Sequence, residues 1–144
     1  MADSQSLRLV FCTAGVHDHI TEYVAKRLQQ EGYDAISPSM LNFLGTLDCG
    51  VNYGSEIARR LNVSRQMVAK TVKELCRVGY LEQVQAKGKQ KQIVFTASGE
   101  ALMSRVRHLL VQLDEVLCKR LGEATLNETL STLEAIQALL SPEL

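Results

Sequence analysis

Between Ser55 and Gly79 apolar residues recur at intervals of three and four, in two short bursts. In the second burst Val68, Thr71, Val72 and Leu75 fall on one side of a helix, while Gln66, Ala69, Lys70 and Lys73 fall on the other. Ser64 stands just before it, where a hydroxyl can accept from an unpaired first-turn N–H, and Gly79 follows as a left-handed terminator. The first burst, Ser55 to Leu61, turns Ile57, Ala58 and Leu61 inward and stops at Asn62-Val63-Ser64. Two short helices joined by so tight a turn predict a helix-turn-helix. Beyond Gly79 the period changes. Tyr80 to Gln85 and Gln92 to Thr96 are short runs of strand-favouring residues, separated by Ala86-Lys87-Gly88-Lys89-Gln90-Lys91. That spacing predicts a β-hairpin with a basic tip.

Longer helical patterns flank this centre. From Leu7 to Gln30 the positions Leu7, Phe11, Ala14, Thr21, Val24 and Leu28 form one face, widened by Val16, Ile20 and Tyr23. A helix apolar on more than one side needs more than one neighbour. Ser37-Pro38 opens a helix with Met40, Leu41, Leu44 and Leu47 available to the core, and Asn52 is expected to cap the next. Thr96 is expected to cap a long helix whose apolar positions continue from Leu102 to Leu121, where Gly122 stops it. Thr125-Leu126-Asn127-Glu128 has the capping-box pattern, and Leu126, Leu130, Leu133, Ile136 and Leu140 predict a last amphipathic helix. The fold class expected is mainly α with a small β-hairpin wing. A winged helix-turn-helix over about 37–97 is flanked by dimerisation helices over about 5–31 and 97–141, in a single domain spanning 1–144.

The formal net charge of zero argues against a nucleic-acid partner until its distribution is considered. From Arg59 to Lys91 nine cations stand against Glu74 and Glu82, a net of +7, and the rest of the chain carries −7. Segregation of this kind supplies a positive face, and DNA needs the face rather than the total. Gln66, Lys70 and Lys73 are the candidates for base or groove contact, since an amide can pair with adenine edges and lysines can reach phosphate or guanine. Ala69 between them allows close approach. Ser64 and Arg65 are assigned to phosphates near the helix start, and Lys87, Lys89 and Lys91 to wing contacts.

Ser55-Glu56-Ile57-Ala58-Arg59-Arg60-Leu61-Asn62-Val63-Ser64, then Val68, Val72, Leu75, Gly79-Tyr80-Leu81-Glu82 and Val94-Phe95-Thr96-Ala97-Ser98-Gly99 resemble the MarR family of bacterial transcriptional regulators. The resemblance implies a homodimer held by its terminal helices. It also implies binding to a pseudo-palindromic operator on double-stranded DNA, in most relatives as a repressor, with a small-molecule or oxidant signal. The sequence departs from the family at the wing tip. Where relatives carry an Asp followed by arginines, Lys87, Gly88 and Lys89 stand here.

Cys12, Cys49, Cys76 and Cys118 show no C-x-x-C spacing, which argues against a zinc knuckle or a thioredoxin-type motif and makes reduced thiols the default. Cys12, beside Phe11, is the candidate redox sensor, because some oxidant-sensing members of the family carry a reactive cysteine in the first helix. His17 and His19 point in different directions on a helix, so no metal site is expected. There is no Gly-rich phosphate loop, G-x-S-x-G elbow or H-E-x-x-H, so neither catalysis nor a cofactor is expected. No membrane-length apolar run or secretory leader is visible, and a cytoplasmic location is expected. The competing reading is a winged helix used for protein contact, with the basic wing meeting an acidic partner.

Overall fold

The structure, a computed structural model, describes residues 4–33, 36–86, 88 and 90–141. The chain falls into two units that meet between Val106 and Arg107. In the first unit, Ser4 caps helix α1 (Gln5–Gln30), its hydroxyl oxygen accepting from Leu7 N–H at 3.2 Å. Only Val24, Ala25 and Leu28 of α1 are buried, so its predicted stripe is covered only toward its C-terminal end. Leu7, Val10, Phe11 and Val16 are exposed.

Ser37 caps α2 (Pro38–Asp48) through Met40 N–H, and proline occupies the first turn, where its missing N–H costs nothing. Leu41, Phe43, Leu44 and Leu47 enter the core. Helix α3 (Gly54–Leu61) follows with no side-chain cap, which corrects the assignment of Asn52. Tyr53 holds the cap position, and Asn52 instead offers its carbonyl to Ile93 N–H at 2.8 Å. The loop before α3 thereby satisfies an edge donor of the hairpin. Asn62 ends α3 in the left-handed conformation, at φ 54°, which an Asn side chain tolerates.

Helix α4 (Arg65–Arg77) buries Val68, Val72 and Leu75, the predicted stripe, while Thr71 is half-buried. It closes in a Schellman motif. Gly79, at φ 92°, donates to the Cys76 carbonyl and Tyr80 N–H donates to that of Leu75. Strands β1 (Leu81–Gln85) and β2 (Lys91–Phe95) pair antiparallel, with Leu81 opposite Phe95 and Gln83 opposite Ile93. Leu81, Ile93 and Phe95 therefore share one face of the hairpin, and the first two are buried. Lys91, expected in the tip, is the first residue of β2 and sits opposite Gln85.

The hairpin leads into helix α5 (Ala97–Leu121) through a dense junction. Thr96 N–H donates to the Tyr80 carbonyl, and the Thr96 hydroxyl donates to the Gly79 carbonyl while accepting from Gly99 N–H at 3.1 Å. Thr96 is thus the predicted cap, and it also ties the start of α5 to the exit of α4. Gly99 is required here because a Cβ would stand 2.0 Å from the Tyr80 carbonyl oxygen. Leu102, Met103 and Val106 are buried, and Arg105 pairs with Glu31 through two bonds of 2.6 and 3.0 Å.

The second unit holds the remainder of α5 and helix α6 (Glu123–Leu139). Gly122, at φ 89°, breaks α5 as predicted. The predicted capping box is not formed. Helix α6 starts at Glu123, behind Gly122, and Thr125 lies inside it with its carbonyl accepting from the Thr129 hydroxyl. A break at a positive-φ glycine and an acid at the first helical position, favoured by the helix dipole, set the earlier start. No residue of α6 is buried, and Leu130, Leu139 and Leu140 are exposed, as are Val111, Val116 and Leu121 of α5.

Candidate nucleic-acid interface

Burying Val68, Val72 and Leu75 determines what α4 shows to solvent. Arg65, Gln66, Ala69, Lys70 and Lys73 are all exposed. Ser64 caps the helix, its hydroxyl oxygen accepting from Met67 N–H at 3.0 Å, and its own proton remains available to a phosphate oxygen. There is no acidic residue in the first turn. Positive dipole, Arg65 and unpaired N–H groups therefore add in one place.

Arg77, counted among the cations of this segment, is committed to Glu74. Two bonds of 3.0 and 2.6 Å join them on the exposed face. The Arg77 guanidinium holds the Glu74 carboxyl below the usual carboxylate range, and Glu74 in turn raises Arg77. Two further cations stand exposed on the helix that leads into the turn. Arg60 is exposed near the end of α3 with Arg59 beside it, and adjacent cations on the helix entering the turn are the signal that marks them in the sequence.

At the wing, Lys87 and Lys89 lie outside the described residues. Gly88 adopts φ 80°, and the Gln85 side-chain amide donates to its carbonyl at 3.1 Å. Lys91 is exposed at the base of β2. Between α2 and α4 runs a groove of about 780 Å³ lined by Met40, Phe43, Val68 and Thr71, with Lys70 and Lys73 on its α4 wall.

The thiols divide by exposure. Cys12 and Cys49 are exposed, whereas Cys76 and Cys118 are half-buried. Burial, with Glu82 nearby, pushes the Cys76 thiol up and keeps it protonated. His17 is engaged within its unit, its ring nitrogens 3.1 Å from Asn42 Oδ1 and 3.3 Å from Asp18 Oδ1. Among the described residues no three His, Cys, Asp or Glu side chains converge as a metal site, and no helix is long and apolar enough to cross a membrane.

Residues 41–99 match the family model of a winged helix DNA-binding domain. A comparison with curated protein sequences gives no match. Among solved structures, the chain is similar to the MepR–DNA complex of Staphylococcus aureus at 18% identity and a TM-score of 0.71, over 91% of this chain and 96% of that one. It is also similar to a MarR transcriptional regulator from Methanosarcina mazei, at 16% identity and a TM-score of 0.74, over 94% and 90% of the two chains. A transcriptional regulator from Thermotoga maritima aligns at 19% identity and a TM-score of 0.63, over 95% of each chain. These likenesses show the fold: a winged helix-turn-helix of the MarR type, mainly helical with one antiparallel hairpin.

Proposed function

We propose, from the MarR-type winged helix as premise, that this chain is a sequence-specific DNA-binding transcriptional regulator that acts as a repressor. The observation that carries the reading is the division of α4, with Val68, Val72 and Leu75 buried and Arg65, Gln66, Ala69, Lys70 and Lys73 exposed behind the Ser64 cap. A helix held by one face and polar on the other, without an acid in its first turn, can enter a major groove. Gln66, Lys70 and Lys73 read or follow the groove, and Ala69 permits close approach. Ser64, Arg65 and the α3 pair Arg59 and Arg60 hold phosphates, while Lys87, Lys89 and Lys91 supply wing contacts.

The regulator works as a homodimer in a single domain over 1–144. Support comes from the apolar side chains that each unit leaves in solvent, Leu7, Phe11 and Val16 on α1 and Leu130 and Leu139 on α6, with Leu140 just after it. Scattered exposed apolar residues need no explanation, but clusters on terminal helices mark interaction surfaces. Two recognition helices about a two-fold axis must sit roughly 34 Å apart to enter successive major grooves, which specifies a pseudo-palindromic site.

Signal and binding are linked through the junction at Thr96. Because Thr96 joins the Gly79 and Tyr80 carbonyls to the first turn of α5, a small-molecule or oxidant signal that shifts α5 also shifts the end of α4. Cys12, exposed on α1, is the candidate oxidant target. The protein is not an enzyme and acts in the cytoplasm. Footprinting on the DNA upstream of its own gene tests the reading. Protection of two half-sites one turn apart is expected; an unprotected duplex together with capture of an acidic protein would favour a protein-contact role instead.

A further inference from the structure

Within the winged-helix core the large apolar residues are buried or half-buried, with two exceptions among the described residues 36–96. Val84 on the wing is 37% exposed and Met67 on α4 is 56% exposed. Met67 is the more informative because of where it stands. It occupies the third position of α4, the first-turn location from which recognition helices reach base edges. Around the helix axis Lys70 falls between Gln66 and Met67, so the Met67 side chain flanks that lysine from one turn earlier and borders the groove beside α2. Local helix chemistry does not select methionine there. After a serine cap the third position favours Glu or Gln, which would return a bond to the cap N–H and complement the dipole. Helices α3, α5 and α6 each place a Glu in their first turn, although α1 and α2 do not. An acid at position 67 would also face phosphates.

We propose that Met67 is a specificity-determining residue that recognises the C5-methyl group of a thymine in the major groove. The inference rests on the DNA-reading role of α4. An unbranched, polarisable thioether adapts to a methyl group without demanding one geometry, and apolar contact is the only means by which that methyl is read. Burying one methyl group against Met67 corresponds to about a fourfold gain in affinity.

The test begins with selection of a preferred duplex from a randomised pool. Each thymine is then replaced singly by deoxyuridine, which removes only the methyl. The parent should lose about fourfold in affinity at one thymine per half-site. Met67→Ala should bind the thymine and deoxyuridine duplexes equally, and Met67→Leu should keep the preference. Met67 is exposed, so Met67→Ala should fold; far-ultraviolet circular dichroism checks this, and Met67→Leu keeps the test valid otherwise. A parent indifferent to every methyl, or a Met67→Ala protein retaining the same thymine dependence, overturns the proposal. Selection that returns no preferred sequence overturns the DNA-reading role as well, which distinguishes the two failures.

Discussion

Replacing Gly99 by alanine should damage the protein far more than the loss of a helical glycine usually would. The added Cβ would lie 2.0 Å from the Tyr80 carbonyl oxygen, 3.0 Å from its carbon and 3.1 Å from Phe95 Cδ1. Ordinary contact begins near 3.4 Å, so about 1.4 Å must be found against backbone, which cannot rotate away as a side-chain end can. Overpacking typically costs 1–3 kcal/mol, and this site belongs at the upper end. Lifting α5 would also strain the bond from Gly99 N–H to the Thr96 hydroxyl, a cap worth about 1 kcal/mol. Helix propensity returns less than about 1 kcal/mol in a first turn. The expected net loss is about 3 kcal/mol, a large share of an ordinary stability of roughly 5–15 kcal/mol. Urea unfolding at one fixed protein concentration measures it, because the proposed dimer would make the midpoint concentration-dependent. Gly45→Ala is the matched control: nothing lies within 4 Å of its Cβ, and about 0.5–1 kcal/mol of stabilisation is expected from the same chemical change. A Gly99→Ala protein within about 0.5 kcal/mol of the parent would refute the packing argument, since propensity alone would then describe both sites.

Other perturbations follow from the same residues. Thr96→Val removes the hydroxyl that both donates to Gly79 and accepts from Gly99, so about 1–3 kcal/mol should be lost on thermal unfolding, with operator affinity falling as well. Phe11→Asp on the exposed face of α1 should shift the protein toward monomer in sedimentation and weaken operator binding in parallel. With Glu74 held low by Arg77, their ion pair supports folding above the ordinary Glu range and is lost as the pH falls through the lowered value. Carboxyl NMR should therefore show Glu74 titrating higher in Arg77→Ala than in the parent. Treatment with organic peroxide should release operator DNA from the parent but not from Cys12→Ser; equal release from both would remove Cys12 from the signal.

Most of the architecture was legible because periodicity and caps agreed. Ser4 apart, which no pattern singled out, the caps at Ser37, Ser64 and Thr96 and the breaks at Gly79 and Gly122 stood where local chemistry placed them. The errors came where a nonlocal partner competed. Asn52 looked like a cap, but its carbonyl is taken by Ile93, more than forty residues away in the chain, and only the folded hairpin reveals that partner. Thr125 matched a capping box, yet Gly122 had already broken the chain and α6 began at once. At the candidate interface the outward set of α4 was readable because its buried set was unambiguous. The pairing of Arg77 with Glu74 was a spacing any helix permits, and geometry decided it.

The central claim is that the exposed face of α4 reads DNA sequence. Binding to the selected operator and to a scrambled duplex, each over a series of salt concentrations, tests it most directly with the parent, Lys70→Ala and Gln66→Ala. The account predicts tighter binding to the operator, steep salt dependence on both duplexes, and a salt slope reduced by about one in Lys70→Ala. Gln66→Ala should narrow the gap between operator and scrambled duplex by about 1–3 kcal/mol. Equal affinity of the parent for both duplexes, or a gap unchanged by Gln66→Ala and a slope unchanged by Lys70→Ala, would contradict the claim.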